Sequence, residues 1–280
     1  MLASQLDHAI LVEAAHDLPP LPRTFTRLSE LFADPNYAMA DVVKAIELDS
    51  SLAAQLLRIA NSSLYHNANV GSVAGAVTRL GAGVVKSVAM SSAVRPASNL
   101  DLSVFGLTAV SYWEHCVAVL SFAESLSQQC PRQFSDDFLS AALLHDFGKT
   151  VLAQFIGAEH LFEMKQMSST SHHAAVEMQV LGVNHAEVGA VITQYWNLPE
   201  PLTKAIQYHH EPGMYDFPLT HGLNLANQLA WQLECRVDDL ERESAARVMS
   251  MEATGLTDQK WQDAFEGGKA RMEEALMLYR

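Results

Sequence analysis

The sequence predicts an all-α protein made of two packed helical subdomains. Three observations carry this reading. Apolar residues recur at helical spacing in almost every segment, rather than alternating as they do along a strand. The long runs are rich in Ala, Leu, Met, Glu and Gln, which favour helix, and few runs of β-branched or aromatic residues interrupt them. Capping residues and Pro or Gly breaks recur along the chain at the places where such helices must start and stop.

With 280 residues, 49% of them apolar, the chain is long enough for one large helical domain or two packed ones with real cores. The first unit, residues 1–100, opens with an N-terminal helix. Pro22 suits the first turn of the next helix, which runs to about Phe32 and breaks at Asp34-Pro35-Asn36. Helix resumes over about 39–48. Asp49 or Ser50 then caps a segment whose Leu52, Leu56, Ile59 and Ser63 share a face. After a loop at 65–71, Ser72 caps a helix that Gly81 interrupts and that continues to about Val94. Residues 96–101 read as the joint between units.

The second unit, residues 101–280, begins with a long helix over about 111–128, ended by Pro131. Ser135, Asp136 or Asp137 starts a helix drawn through to Phe155. Another spans about 171–180. Asn184 with Glu187 forms a capping-box-like start to the helix that ends near Trp196. Asn197-Leu198-Pro199 breaks the pattern before a short helix to Tyr208. The tail from Leu219 holds two or more helices, the last capped by Thr257 or Asp258. No internal repeat or low-complexity tract is present.

The net charge of −14 argues against non-specific binding of nucleic acid and against an anionic membrane surface. A small phosphorylated ligand stays open, because a metal or a local Lys can outweigh distant charge. Cys116, Cys130 and Cys235 are odd in number and far apart, and they read as reduced, packed thiols. The N-terminal stretch carries acids and no basic region before an apolar run, so it is not a signal peptide. No uninterrupted apolar run reaches the roughly 18–20 residues of a membrane helix. These readings place the protein in the cytoplasm.

The chemistry concentrates at Leu143-Leu144-His145-Asp146-Phe147-Gly148-Lys149. A His and an Asp stand side by side after an apolar run, and burying both unpartnered would cost several kcal/mol, so they need hydrogen bonds or a metal. Four other histidines have matching context. His115 shares a helical face with Val119 and Phe122, His185 stands in the first turn of a helix, and His209 and His210 are adjacent. Imidazole together with carboxylate suits a borderline transition metal such as Fe, Mn, Ni or Zn. Each histidine alone reads as an ordinary packed or surface residue. His8, His16, His66, His160, His172, His173 and His221 are left at that.

The order His115, His145-Asp146, His185, His209-His210 resembles the HD metal-dependent phosphohydrolase superfamily, and its HDOD and HD-GYP branches in particular. The flanking strings are similar to HDOD signatures. They are the Leu-Pro opening at 18–22, Ile46-Glu47-Leu48-Asp49 with 56–63, Ser72-Val73 through Leu80-Gly81, His185-Ala186-Glu187-Val188-Gly189, and Trp196-Asn197-Leu198-Pro199. The resemblance covers roughly residues 15–230. It implies two helical subdomains, the second HD-like, and a role in bacterial signal transduction, often without catalysis.

By the same resemblance, one metal position would use His115, His145, Asp146 and Asn227, and the other Asp146, His185, His209 and His210. Asn227 stands where the pattern expects an Asp, in Ala226-Asn227-Gln228-Leu229-Ala230, and the Gly-Tyr-Pro motif is absent after Glu211. A neutral amide oxygen binds a cation less well than a carboxylate, so one metal is expected rather than two. Asp146 and Lys149 are the catalytic candidates, with Lys149 placed to hold a phosphate or else solvated on its helix. The expected function is a regulatory module whose partner is a signalling protein or a small phosphorylated ligand, with little catalysis. The alternative is a phosphohydrolase acting on a nucleotide-like phosphoester.

Overall fold

Pro22 precedes the first of four helices that make the N-terminal layer: α1 (Arg23–Ala33), α2 (Met39–Glu47), α3 (Ser50–Ala60) and α4 (Val73–Val94). The computed structural model describes residues 10, 13, 18, 21–65, 69–94, 101–131, 134–157, 164, 173–234 and 244–278. Most of the expected N-terminal helix, residues 96–100 of the expected joint, Cys235, and His8, His16, His66, His160 and His172 lie outside them. Asp49 is the cap of α3, its carboxylate accepting from the Leu52 N–H. Leu52, Leu56 and Ile59 are buried along one face, as their spacing requires. Ser63 leaves that face: α3 ends at Ala60, and Ser63 is exposed in the short 3-10 turn Ser63–Tyr65. At Gly81 the backbone takes φ 77°, which kinks α4 and lets it lie across α1, α2 and α3.

The second layer surrounds α5 (Ala109–Gln129), which starts earlier than the periodicity suggested. Thr108 and Ser111 form a capping box ahead of the apolar run. Around α5 stand α6 (Phe138–Leu144), α11 (Pro218–Leu233) and α13 (Asp258–Leu278). The helix expected from Asp137 to Phe155 is two helices. It breaks over His145-Asp146-Phe147 and restarts as α7 (Gly148–Leu152). Beyond it come α8 (His173–Leu181), α9 (His185–Tyr195) and α10 (Glu200–Gln207), and α12 (Ser244–Thr254) lies against α11. Asn197 takes φ 54° between α9 and α10, the left-handed turn that Asn tolerates after a helix. Among the described residues there is no strand.

One apolar core runs through both layers, from Leu28, Ile46 and Leu56 to Tyr112, Phe122, Phe138 and Leu143. The layers meet where α4 packs on α6, and there Lys86 is buried in an ion pair with Asp137. α13 closes the other side. Glu274 accepts from the Ser63 backbone and hydroxyl, and Arg271 pairs with Glu124 on α5 at 3.1 Å. By length and apolar content, residues Val73–Ser91 of α4 could cross a membrane. Val77, Val84, Val85, Val88 and Met90 are instead buried against neighbouring helices.

Candidate metal centre

The break in the α6–α7 segment puts His145 and Asp146 on a turn whose side chains face four helices. Gly148 makes the approach possible. A Cβ there would lie 1.9 Å from the His185 carbonyl oxygen and 2.8 Å from the Gly189 nitrogen, so only Gly lets α7 touch the start of α9. The Asn184–Glu187 capping box fixes that start and sets His185 at its first position. His209 and His210 follow the end of α10, and His115 comes from the middle of α5.

Six of the seven candidate ligands converge. Asp146 is buried and divides its two oxygens. Oδ1 lies 3.1 Å from His185 Nε2, while Oδ2 lies 3.6 Å from His145 Nε2 and 3.7 Å from His115 Nε2. His185 Nε2 is 3.0 Å from His210 Nε2, and the His209 ring lies against those of His145, His185 and His210. The donor atoms form two groups, His115/His145/Asp146 and His185/His209/His210, each within 4.8 Å. Asn227 is buried on α11. On the same helix Trp231 stacks on His210, Glu234 meets His115 and Asn224 meets the His209 carbonyl, which puts Asn227 on the face turned towards the cluster.

The donor set suits a metal, and its hydrogen bonds show why. His145 Nδ1 donates to the Ala142 carbonyl at 2.8 Å, and His209 Nδ1 to the Ile206 carbonyl at 2.7 Å. His185 Nδ1 donates to Glu177 and His115 Nδ1 to Glu234, each at 2.6 Å. Every one of these rings is anchored through Nδ1 and presents Nε2 to Asp146 or its neighbours, the posture of a ligating histidine with its outer acceptor in place. In their neutral forms His115 and His145 then bring two lone pairs to 3.3 Å of each other, which calls for a cation or a shared proton between them. His209 Nε2 and Asn227 Oδ1 are buried without a hydrogen-bond partner among the described residues. Orphaned polar atoms on two of the candidate ligands fit a site built for an ion.

The electrostatics agree. Burial pushes the His145 imidazole down to about 3 and holds His209 well below the usual histidine range, with the neighbouring imidazoles acting in the same direction. Burial opposes ionisation of Asp146, but Lys149, His145 and His185 outweigh it and keep the carboxyl well below its ordinary value. His185 and Glu177 form a buried pair. Although burial works against both charges, Glu177 raises the imidazole and His185 lowers the carboxyl. Lys149 does not face solvent. It is buried, with Nζ 2.5 Å from Asp146 Oδ2. A cavity of about 460 Å3 adjoins His210, between Met178, Gln179, Glu187, Gln207, Tyr208 and Glu211.

Glu177, Glu234, Asn224, Trp231 and the Gly148–Gly189 approach were not singled out in the sequence. Glu177 had a weak signal, being a lone acid in the apolar turn Ala174-Ala175-Val176-Glu177-Met178. His221 is more than a packed histidine. It bonds Ser250 and Asp216.

An all-helical chain with a His-Asp pair set among four further histidines defines an HD-type protein. The HDOD domain model matches residues 18–212, and the chain belongs to the HDOD family. It is 26% identical, over 272 residues, to an uncharacterized protein of Treponema pallidum (strain Nichols), with 92% of this chain and 52% of that protein covered. The chain therefore spans about half the length of that curated relative. Among solved structures it is similar to a "Putative signal transduction protein" from Marinobacter aquaeolei VT8, with 26% identity, TM-score 0.68, and 99% of this chain and 66% of that one covered. It also shares the fold of an HDOD domain protein of unknown function from Geobacter sulfurreducens, with 20% identity, TM-score 0.71 and coverage of 97% and 98%.

Proposed function

We propose that the protein is a regulatory HDOD module that holds one divalent transition metal at Asp146, His185, His209 and His210 and turns over phosphoesters poorly. The observation that carries this is the asymmetry around Asp146. Its Oδ1 side meets imidazoles anchored for ligation, with His185 Nε2 at 3.1 Å. Its Oδ2 side is taken by the Lys149 ammonium, and Asn227, the ligand that the resemblance assigns to that side, is a neutral amide. An ammonium on the carboxylate and an amide in place of an anion both weaken a second cation. A bound metal would act as a Lewis acid and lower the pKa of a coordinated water. The chain's own residues orient the ligands and shield them from water.

The cavity beside His210 supports weak phosphoester chemistry. Its described walls offer Glu187 and Glu211 and no Lys or Arg, so a polyanion meets like charge there. The likeness to the Marinobacter protein supports a signalling role, exercised through a partner protein or a small ligand. The boundary near residue 100 is kept as the proposed division between subdomains.

One observation favours the alternative, a dinuclear phosphohydrolase. The two oxygens of Asp146 face two separate donor groups, as a bridging carboxylate would. Elemental analysis of the purified protein, calorimetric titration with Mn, Fe or Ni, and a phosphoesterase screen decide between the two. One metal per chain with slow turnover is the expected result. Two tight sites with brisk turnover establish the enzyme, and no binding leaves the cluster as a hydrogen-bonded relic.

A further inference from the structure

The chain beyond residue 212, where the family match ends, contains a hydrogen-bond network that reaches the histidine cluster from behind. It starts at the His209 carbonyl. α10 ends at Gln207, and the chain turns away over His209-His210, so that carbonyl leaves the helix while its residue stays buried. A buried carbonyl needs a donor. Asn224 on α11 supplies one, Nδ2 to oxygen at 2.8 Å. Two donors on the amide oxygen fix which way the amide faces, the Gln228 Nε2 at 2.9 Å and the Ser250 hydroxyl of α12 at 3.2 Å. His221 Nδ1 lies 3.1 Å from Ser250 Oγ, and His221 Nε2 lies 2.9 Å from Asp216 Oδ1. Asn224, Gln228, Ser250 and His221 are all buried, and only Asp216 reaches the surface.

The geometry points to Asn224 and Ser250 as positioning residues of the metal centre: α12, through Ser250 and Asn224, sets the His209-His210 turn and so the aim of two imidazoles. This rests on the reading of the cluster as a metal site. Among the described residues the His209 ring makes one hydrogen bond, Nδ1 to the Ile206 carbonyl, and that bond fixes its tautomer. Where its Nε2 points also depends on the backbone of the turn, which Asn224 ties to α11 and Ser250 ties to α12. A displacement of that backbone misaims a ligand whose bond to metal is only about 2 Å long. The link from Ser250 through Asn224 to the His209 carbonyl thus gives the C-terminal segment a physical hold on metal affinity.

The test uses the full chain with Co(II) as a spectroscopic probe. Ser250→Ala removes the hydroxyl. Asn224→Asp keeps the acceptor side and removes the donor to His209. Both are expected to weaken Co(II) by roughly tenfold, the lower end for a residue behind the ligands, and to change the visible ligand-field spectrum. Ser87→Ala, at a buried serine of α4 that bonds the Val84 carbonyl, is expected to change neither. Wild-type affinity and spectrum in Ser250→Ala would overturn the proposal, and if Asn224→Asp does not fold, Ser250→Ala decides alone. If the wild type binds no Co(II), the metal reading fails on its own. The relay is then judged on the ring NMR signals of His209 and His210 in the metal-free chain. Movement of those signals in Ser250→Ala, with Ser87→Ala unchanged, supports it. Unmoved signals overturn it.

Discussion

Five imidazoles, two buried carboxylates and a buried ammonium share one small volume, and their protonation states oppose one another. An ordinary histidine titrates near 6.5. His145 is pushed down by burial to about 3, and His209 is held well below its usual range. As pH falls from about 6.5, the unfolded chain takes up protons that the folded chain refuses. Folding stability therefore drops by up to about 1.4 kcal/mol per pH unit for each of these two residues. Asp146 and Glu177, whose folded values are depressed, contribute stability that is present above the ordinary carboxylate range and lost as pH falls further. His185 has the opposite sign. Its raised value contributes stability below 6.5 that is lost as pH rises through the folded value. Urea denaturation of metal-free protein should show a stability maximum near neutrality and a steep acid limb, and a flat profile from pH 7 to 5 would contradict this account. Asn227 gives a second prediction at this scale. Asn227→Asp places a carboxylate where the amide oxygen is buried and unpartnered. Without metal, the variant should lose on the order of 3 kcal/mol, the cost of an uncompensated buried charge. Added Mn should restore it and raise the stoichiometry towards two per chain, read by thermal unfolding and calorimetry.

Close helix approach, more than helix propensity, makes the site. α7 and α9 meet at Gly148 and Gly189, and no side chain fits between them. Gly148→Ala must push the His145-Asp146 turn away from His185. The expected cost is about 3 kcal/mol or more, at the upper end of the range for overpacking, with loss of metal binding. Urea denaturation and metal titration check both parts. Gly71→Ala, where a Cβ meets nothing within 4 Å, is the silent control. The same device docks α13 on α5. A Cβ at Gly268 would lie 2.1 Å from the Phe122 ring, so Gly268→Val should lift α13 off and lower the melting temperature by several degrees.

On the scale of the molecule, the family segment shares one core with the helices that follow it. Residues 18–212 carry the five histidines and Asp146, but α11, α12 and α13 follow them. α11 supplies Glu234 to His115, Trp231 to His210 and Asn224 to His209, and α13 covers the flank of α5. A chain truncated after Glu211 exposes the apolar faces of α5 and α6 that α11 and α13 bury. It should fail to unfold cooperatively, as judged by the urea transition and by rapid proteolysis. A cooperative transition at full amplitude would show that the C-terminal helices are dispensable. The buried Lys86–Asp137 pair, where the two layers meet, gives them a charge contact as well as an apolar one.

Much of this was legible in the sequence, because it depends on neighbours along the chain. Helical periodicity, the Asp49 and Asn184 caps, the Gly81 break and the Asn197 turn are local, and they reappear as the α3 and α9 starts and two positive-φ sites. The His-Asp string was legible for the same reason: two adjacent polar residues after an apolar run must find partners. The break over His145-Asp146-Phe147 was not, since helix propensity runs straight through it and only the contact of Gly148 with α9 accompanies it. Glu177, Glu234 and Asn224 were hidden because a carboxylate or amide becomes an anchor only when another helix brings a ring nitrogen or carbonyl to it. Lys149 read as a surface or phosphate-facing residue, and the fold turned it inward onto Asp146. The sequence by itself determined which side chains can bind a cation, through their chemistry. The tertiary structure decided which of their atoms face one another, because distances of about 3 Å between residues far apart in the chain are set by how helices pack.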